Sequence, residues 1–145
     1  MTEVHFYTGV ADRTLTACGL VRQSVARGRK VVVHHADAAT LARFDQALWC
    51  FDPVEFVPHV QAGSALAART PVVLTHEGHA HDNPGHVPHH DVLLNLDPSP
   101  PLFFSRFDFL LEVIGRDDAD REAGRSRWKF YADRGYAMHH HNRDL

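Results

Sequence analysis

The residues of this chain best suited to bind something lie near its C-terminus, where "RSRWKFYADRGY" (125–136) crowds cations and aromatics together. Read as a helix from about 118 to 134 and closed by Gly135, the segment sets Arg121, Arg125, Trp128, Lys129 and Ala132 on one side. Guanidinium and ammonium groups attract carboxylates, including a terminal one, while the indole and the lysine stem offer apolar area. That combination suits an acidic peptide with a hydrophobic end. It also suits single-stranded nucleic acid, with a base on the indole and a phosphate on an arginine. The commoner outcome for this pattern is a solvated amphipathic helix with a half-buried tryptophan.

Histidine is the second chemical signal. Of thirteen in the chain, six (His76, His79, His81, His86, His89 and His90) fall in "HEGHAHDNPGHVPHH". Imidazole ligates zinc and nickel, and His79 and His81 are the candidate ligands here. Gly, Asn and Pro interrupt the tract, so neither a helix nor a strand presets its geometry. The expectation is a solvated loop over 76–90, with no resident metal. The C-terminal "HHHNRDL" could trap metal adventitiously.

The third signal is "LARFDQALWCFDPVEFVPH" (41–59). Leu41, Phe44 and Leu48 form a helical core stripe; Trp49 lies at its edge and Phe56 in the strand that follows. Large aromatics at element ends either close a core or offer a partner surface.

Catalytic signatures are missing. The turn after the first strand, "TGVADRT", has one glycine where a dinucleotide fingerprint has three. The "GRK" at 28–30 precedes a strand, whereas a phosphate loop precedes a helix. There is no G-x-S-x-G elbow and no H-E-x-x-H pair. A nucleotide-binding Rossmann-like enzyme and a His-rich metal-binding protein therefore stand as the alternative readings.

The elements that must position these residues alternate. Strands are expected over 4–10, 30–35, 53–59, 71–76 and 91–97, with "KVVVHH" reading as a strand buried on both faces. One helix spans 13–28, with Leu15, Cys18, Val21 and Val25 inward and Gly28 ending it. Asp37 caps a second. In "DPSPPLFFSRFDFLLEVIG", Ser99 as N-cap and Phe103, Phe107, Leu110 or Leu111, and Ile114 predict a further helix. The fold class is α/β: a single Rossmann-like domain over 1–145, its mostly parallel sheet flanked by helices.

Composition fits that reading. A chain of 145 residues with 44% hydrophobic and 23% charged side chains can bury one core. Its net charge of −3 argues against coating nucleic acid, so any cationic function is local. No apolar run approaches the ~20 residues of a membrane span. The opening "MTEVHFYTGV" reads as a strand rather than an export signal, and Cys18 and Cys50 read as reduced core thiols, so a cytoplasmic protein is expected.

The segment "LARFDQALWCFDPVEFVPHVQAG" resembles the signature of the chi subunit of bacterial DNA polymerase III holoenzyme. The "HFYTG" start, the "GRKVVVHH" and "DVLLNL" strands and the "RSRWKFY" helix fall in that family's order, so the likeness covers nearly the whole chain. It implies a Rossmann-like accessory subunit without catalysis or cofactor. Its expected partners are the psi subunit, the clamp loader through psi, and the acidic C-terminal tail of single-stranded DNA-binding protein. DNA contact is then mainly indirect. Carried over by residue, the resemblance assigns Trp49 and Phe56 to psi and Arg125, Trp128 and Lys129 to the tail. Ile114 is the candidate to complete the tail pocket. Asp117, Asp118 and Asp120, just ahead of it, suit a helix N-terminus but oppose an acidic ligand.

Overall fold

The computed structural model describes residues 1–52, 57–76 and 89–143. Its strands are β1 (Glu3–Val10), β2 (Val31–His34), β3 (His59–Gln61), β4 (Val72–Thr75), β5 (Val92–Asn95), β6 (Phe109–Gly115) and β7 (Ala137–Asn142). Its helices are α1 (Arg13–Ala26), α2 (Ala38–Phe51) and α3 (Asp118–Asp133). The strands form one sheet in the order β3-β4-β2-β5-β6-β1-β7, and every described pairing is parallel.

Side-chain alternation divides the core into two. Val31, Val33, Leu94, Leu111 and Val113 face α1 and α2, while Val32, Leu93, Leu110 and Ile114 face α3. Each helix starts on an aspartate that accepts a backbone N–H: Asp12 from Leu15, Asp37 from Thr40 and Asp117 from Asp120. Gly135, at φ 80°, ends α3; its own N–H reaches Ala132 O, and that of Tyr136 reaches Tyr131 O. No helix among the described residues is long and apolar enough to cross a membrane.

Several expectations change. The helix predicted over 99–114 is a short 3₁₀ turn, Phe104–Arg106, followed by β6. A strand buried on both faces has no solvent side, and in β6 even Glu112 is buried, so its apolar residues satisfy helical spacing as readily as strand spacing. The strand predicted over 53–59 falls partly on residues 53–56, outside the described ones, and β3 begins at His59. In α1, Leu15 is exposed and the inward arc runs through Ala17, Leu20, Val21 and Ser24 with Cys18. Burial pushes the Cys18 thiol up to about 11, whereas Cys50 is exposed on α2 and is no core thiol. His89 is buried and its Nε2 lies 2.6 Å from Thr70 O, so it anchors one end of the predicted loop; His79 and His81 lie outside the described residues.

Two contacts fix α3 on the sheet. The first centres on Glu112, which points from β6 into the α3 side with no exposed surface. Arg127 Nε donates to its Oε1 at 3.0 Å, and Tyr131 OH and Asn95 Nδ2 donate to its Oε2 at 2.6 and 3.0 Å. Arg127 also donates from Nη1 to Pro98 O at 2.9 Å. Burial raises the pKa of Glu112, while its three donors act in the opposite direction. Tyr131 is held firmly protonated by burial and by the carboxylate, which keeps its hydroxyl a donor.

The second contact is a close approach. A Cβ on Gly124, in the middle of α3, would meet Ile114 Cδ1 at 2.7 Å and Cγ1 at 3.1 Å. Glycine costs a helix interior about 1 kcal/mol relative to alanine, and here it lets the helix settle onto the strand.

Two outcomes follow for stability. Glu112→Ala or Arg127→Met alone should destabilise by about 3–5 kcal/mol, because each strands a buried polar partner. In urea denaturation the double variant should lose less than the sum of the singles, and strict additivity would refute the coupling. Gly124→Ala should lower the melting temperature despite the helix-propensity gain, since overpacking costs about 1–3 kcal/mol; a more stable variant would show that Ile114 yields freely.

Candidate functional site: a cationic cleft beside α3

With Arg127 and Tyr131 turned to the sheet, the adjoining flank of α3 lies along the β1–β7 edge. A cleft of about 610 Å³ opens there. Phe6 and Ile114 make its apolar floor, Thr8, His140 and Asn142 its strand-side wall, and Arg121, Gly124, Arg125 and Trp128 its helical wall. Gly115 and Arg116 close one end.

The helical wall follows from geometry. At about 100° per residue, Gly124, Trp128, Arg121 and Arg125 fall within an arc of roughly 100°. Trp128 is half-buried, edge-on to the Phe6 ring at 5.1 Å and to the His140 ring at 6.2 Å. Its indole therefore lines the cleft without filling it. Arg121 and Arg125 are exposed, and neither has an acidic partner among the described residues. The Arg116 guanidinium is fixed nearby by donating from Nε to Gly9 O at 3.0 Å. On the strand side, Thr8 Oγ1 and His140 Nε2 are 2.6 Å apart and tie β1 to β7.

Two of the three aspartates at the start of α3 are already engaged, while Asp118 is exposed. Asp117 accepts the Asp120 N–H at 2.8 Å as the helix cap. Asp120 accepts the Gly115 N–H and lies 3.4 Å from Arg13 Nε. Their charge is thus spent on the helix end and on Arg13, and guanidinium groups dominate the cleft mouth.

The structure brings Arg125, Trp128 and Ile114 together, the last as a strand residue of the floor. It does not bring Lys129 into the lining. That side chain lies about 40° beyond Arg125 around the helix, is 76% exposed, and pairs with Asp133 at 2.7 Å. Phe6, Thr8, His140 and Asn142 escaped the sequence reading because β7 did, and Gly124 because its neighbour Ile114 belongs to a strand read as helix. One signal was available: Tyr136, Met138 and His140 alternate in the manner of a half-covered edge strand.

The other predicted surface lies elsewhere. Trp49, at the end of α2, is 54% exposed, and its ring sits edge-on to His59 at 5.2 Å. His59 is pinned between Asp45 Oδ1 at 2.7 Å and Val57 O at 2.8 Å, which makes a rigid platform for the indole. Phe56 lies outside the described residues. This surface borders β3, one edge of the sheet, while the cleft borders β7, the other. With seven strands about 4.8 Å apart, the two edges are roughly 29 Å from each other. They also use opposite faces, since α2 and α3 pack on different sides.

Comparison with known proteins agrees with the order of motifs along the chain. The family described as DNA polymerase III chi subunit, HolC, matches residues 1–139. The chain is 32% identical to the DNA polymerase III subunit chi of Pseudomonas aeruginosa, across 97% of this chain and 96% of the relative. It is 31% identical to the subunit chi of Haemophilus influenzae, across 86% and 85%. With the Escherichia coli subunit chi the identity is 25%, across 95% and 96%. A family match spanning nearly the whole sequence, on an α/β fold with every described strand parallel, means that the chain belongs to the DNA polymerase III chi subunit family.

Proposed function

We propose that this chain is a non-catalytic accessory subunit of the replicative polymerase holoenzyme that joins two partners. One is the psi subunit, and through it the clamp loader. The other is the acidic C-terminal tail of single-stranded DNA-binding protein, so that contact with DNA is mainly indirect. It acts in the cytoplasm and requires no cofactor for this role. The cleft carries the reading: an apolar floor of Phe6 and Ile114, an indole on one wall, and two exposed guanidinium groups at the mouth.

That chemistry fits a peptide end. A hydrophobic terminal residue can enter between Trp128 and Ile114, where water is poorly accommodated. Its carboxylate, and acidic residues before it, can pair with Arg125 and Arg121. Lys129 stands outside the lining and contributes only long-range attraction in this account. Trp49 is assigned to psi, with Phe56 beside it in sequence, because an exposed indole on a fixed platform is the kind of anchor that dominates interface energies. The separation of the two surfaces lets both partners be held at once.

The assignment is tested by crossing the variants. Arg125→Ala should weaken binding of an acidic tail peptide at least tenfold, about 1.4 kcal/mol, and leave psi binding unchanged. Trp49→Ala should do the reverse. Calorimetry with folded variants decides it, and equal effects of both substitutions on both partners would refute the two-surface arrangement. Tail affinity should also fall severalfold between about 50 and 300 mM salt, because the arginines are exposed; an affinity indifferent to salt would remove the guanidinium groups from the recognition.

A further inference from the structure

The terminal histidines are divided by the alternation of β7. His140 turns toward the cleft, whereas His139 and His141 project from the other face, beside Glu3, His5 and Tyr7 of β1. In the parallel register His5 lies directly opposite His139. The rings of His5 and His139 stack at 4.5 Å, those of His5 and His141 at 5.2 Å, and His141 stacks on Tyr7 at 4.6 Å.

Their nitrogens are not oriented at random. His5 Nε2 is 3.6 Å from Glu3 Oε1, and His139 Nε2 is 3.3 Å from the same oxygen. One ligand atom from each of the three residues falls within 4.8 Å of the others. The remaining nitrogen of His5, Nδ1, is 2.9 Å from His141 Nε2. When Nδ1–H donates to His141, the Nε2 lone pair of His5 is left facing Glu3. Metal-binding imidazoles are commonly fixed in this way, with the second nitrogen donating to a neighbour.

We propose that Glu3, His5 and His139 form a zinc-binding site on the face of the β1–β7 edge opposite the cleft. Two imidazoles and one carboxylate make a ligand set zinc accepts, with a fourth position open to water. Tetrahedral zinc with bonds of about 2.0–2.2 Å holds its ligand atoms about 3.3–3.6 Å apart. The two separations to Glu3 Oε1 already match that span, and the near-parallel imidazoles meet at one ion once the exposed His139 ring turns its Nε2 lone pair toward it. Glu3 and His139 are each nearly half exposed, so an ion can reach the site from solvent. Bound zinc would staple the edge strand β7 to β1.

The test is a zinc titration by calorimetry on the full chain after chelator treatment and dialysis. The expected result is an equivalent of zinc at micromolar affinity or better that disappears in His139→Ala and weakens at least tenfold in Glu3→Gln. His140→Ala, on the other face, should retain it, as should His79→Ala/His81→Ala. Amide exchange gives a second readout: zinc should slow exchange across 138–142 in the parent chain and not in His139→Ala. A parent chain that takes up no stoichiometric zinc, or a His139→Ala stoichiometry equal to that of the parent, overturns the proposal. So does loss of the same equivalent in the His79/His81 variant.

Discussion

A carboxylate without solvent sits near the centre of the α3 layer, and the position of that helix follows from how the carboxylate is satisfied. Arg127 and Tyr131, one helical turn apart, converge on the two oxygens of Glu112, and Asn95 closes the arrangement from the neighbouring strand. A buried ion pair is weak as a source of net stability, because desolvating both charges consumes most of what their attraction returns. It is strong as a constraint. Rotating α3 by one residue, or sliding it by one turn, would strand the charge of Glu112 and that of Arg127 together. Only one setting avoids this, and in that setting Arg121, Arg125 and Trp128 face outward over the strands.

The same setting accounts for the depth of the cleft. Gly124 lies between the buried and exposed arcs of α3, and its missing side chain lets the helix rest on Ile114. Ile114 thereby serves two purposes: its side chain fills the space under the helix and supplies apolar floor beyond it. At the start of the helix, Asp117 caps backbone N–H groups and Asp120 ties Gly115 and Arg13. An acidic protein therefore presents a locally cationic opening without any excess of basic residues, because Asp117 and Asp120 are directed into its own structure.

How much of this was legible in the sequence depended on whether each residue's neighbours were local. The outward arc of α3 could be read from spacing, since helical geometry alone sets Arg121, Arg125 and Trp128 together. Asp37 and Gly135 were readable as helix boundaries for the same reason. The segment from Phe103 to Ile114 was not. Its apolar residues are buried from both sides, and a run without a polar face carries no period to distinguish strand from helix. Nothing local marks Arg127 as buried, because its partner Glu112 is distant in sequence and lies within that misread stretch. Strand β7 was invisible for the opposite reason: an edge strand tolerates a polar sequence, and "MHHHN" has too little apolar content to announce one.

Strand β7 also links the two proposed sites, which lie on opposite faces of the β1–β7 edge. Among the described residues it pairs with β1 alone, so its position there depends on that ladder and on what its two faces hold. On one face His140 meets Thr8 and Trp128 within the cleft wall; on the other His139 and His141 meet His5 and Glu3. A ligand gripping either face acts on the same ladder. Fixing the strand from behind restricts the motion of His140 and Asn142, and a wall ordered in advance reduces the entropy lost when a flexible peptide is bound. If both proposals hold, the coupling is reciprocal by thermodynamic necessity: whatever a cation at the proposed Glu3, His5 and His139 site adds to the affinity of the proposed peptide ligand, that peptide returns to the cation.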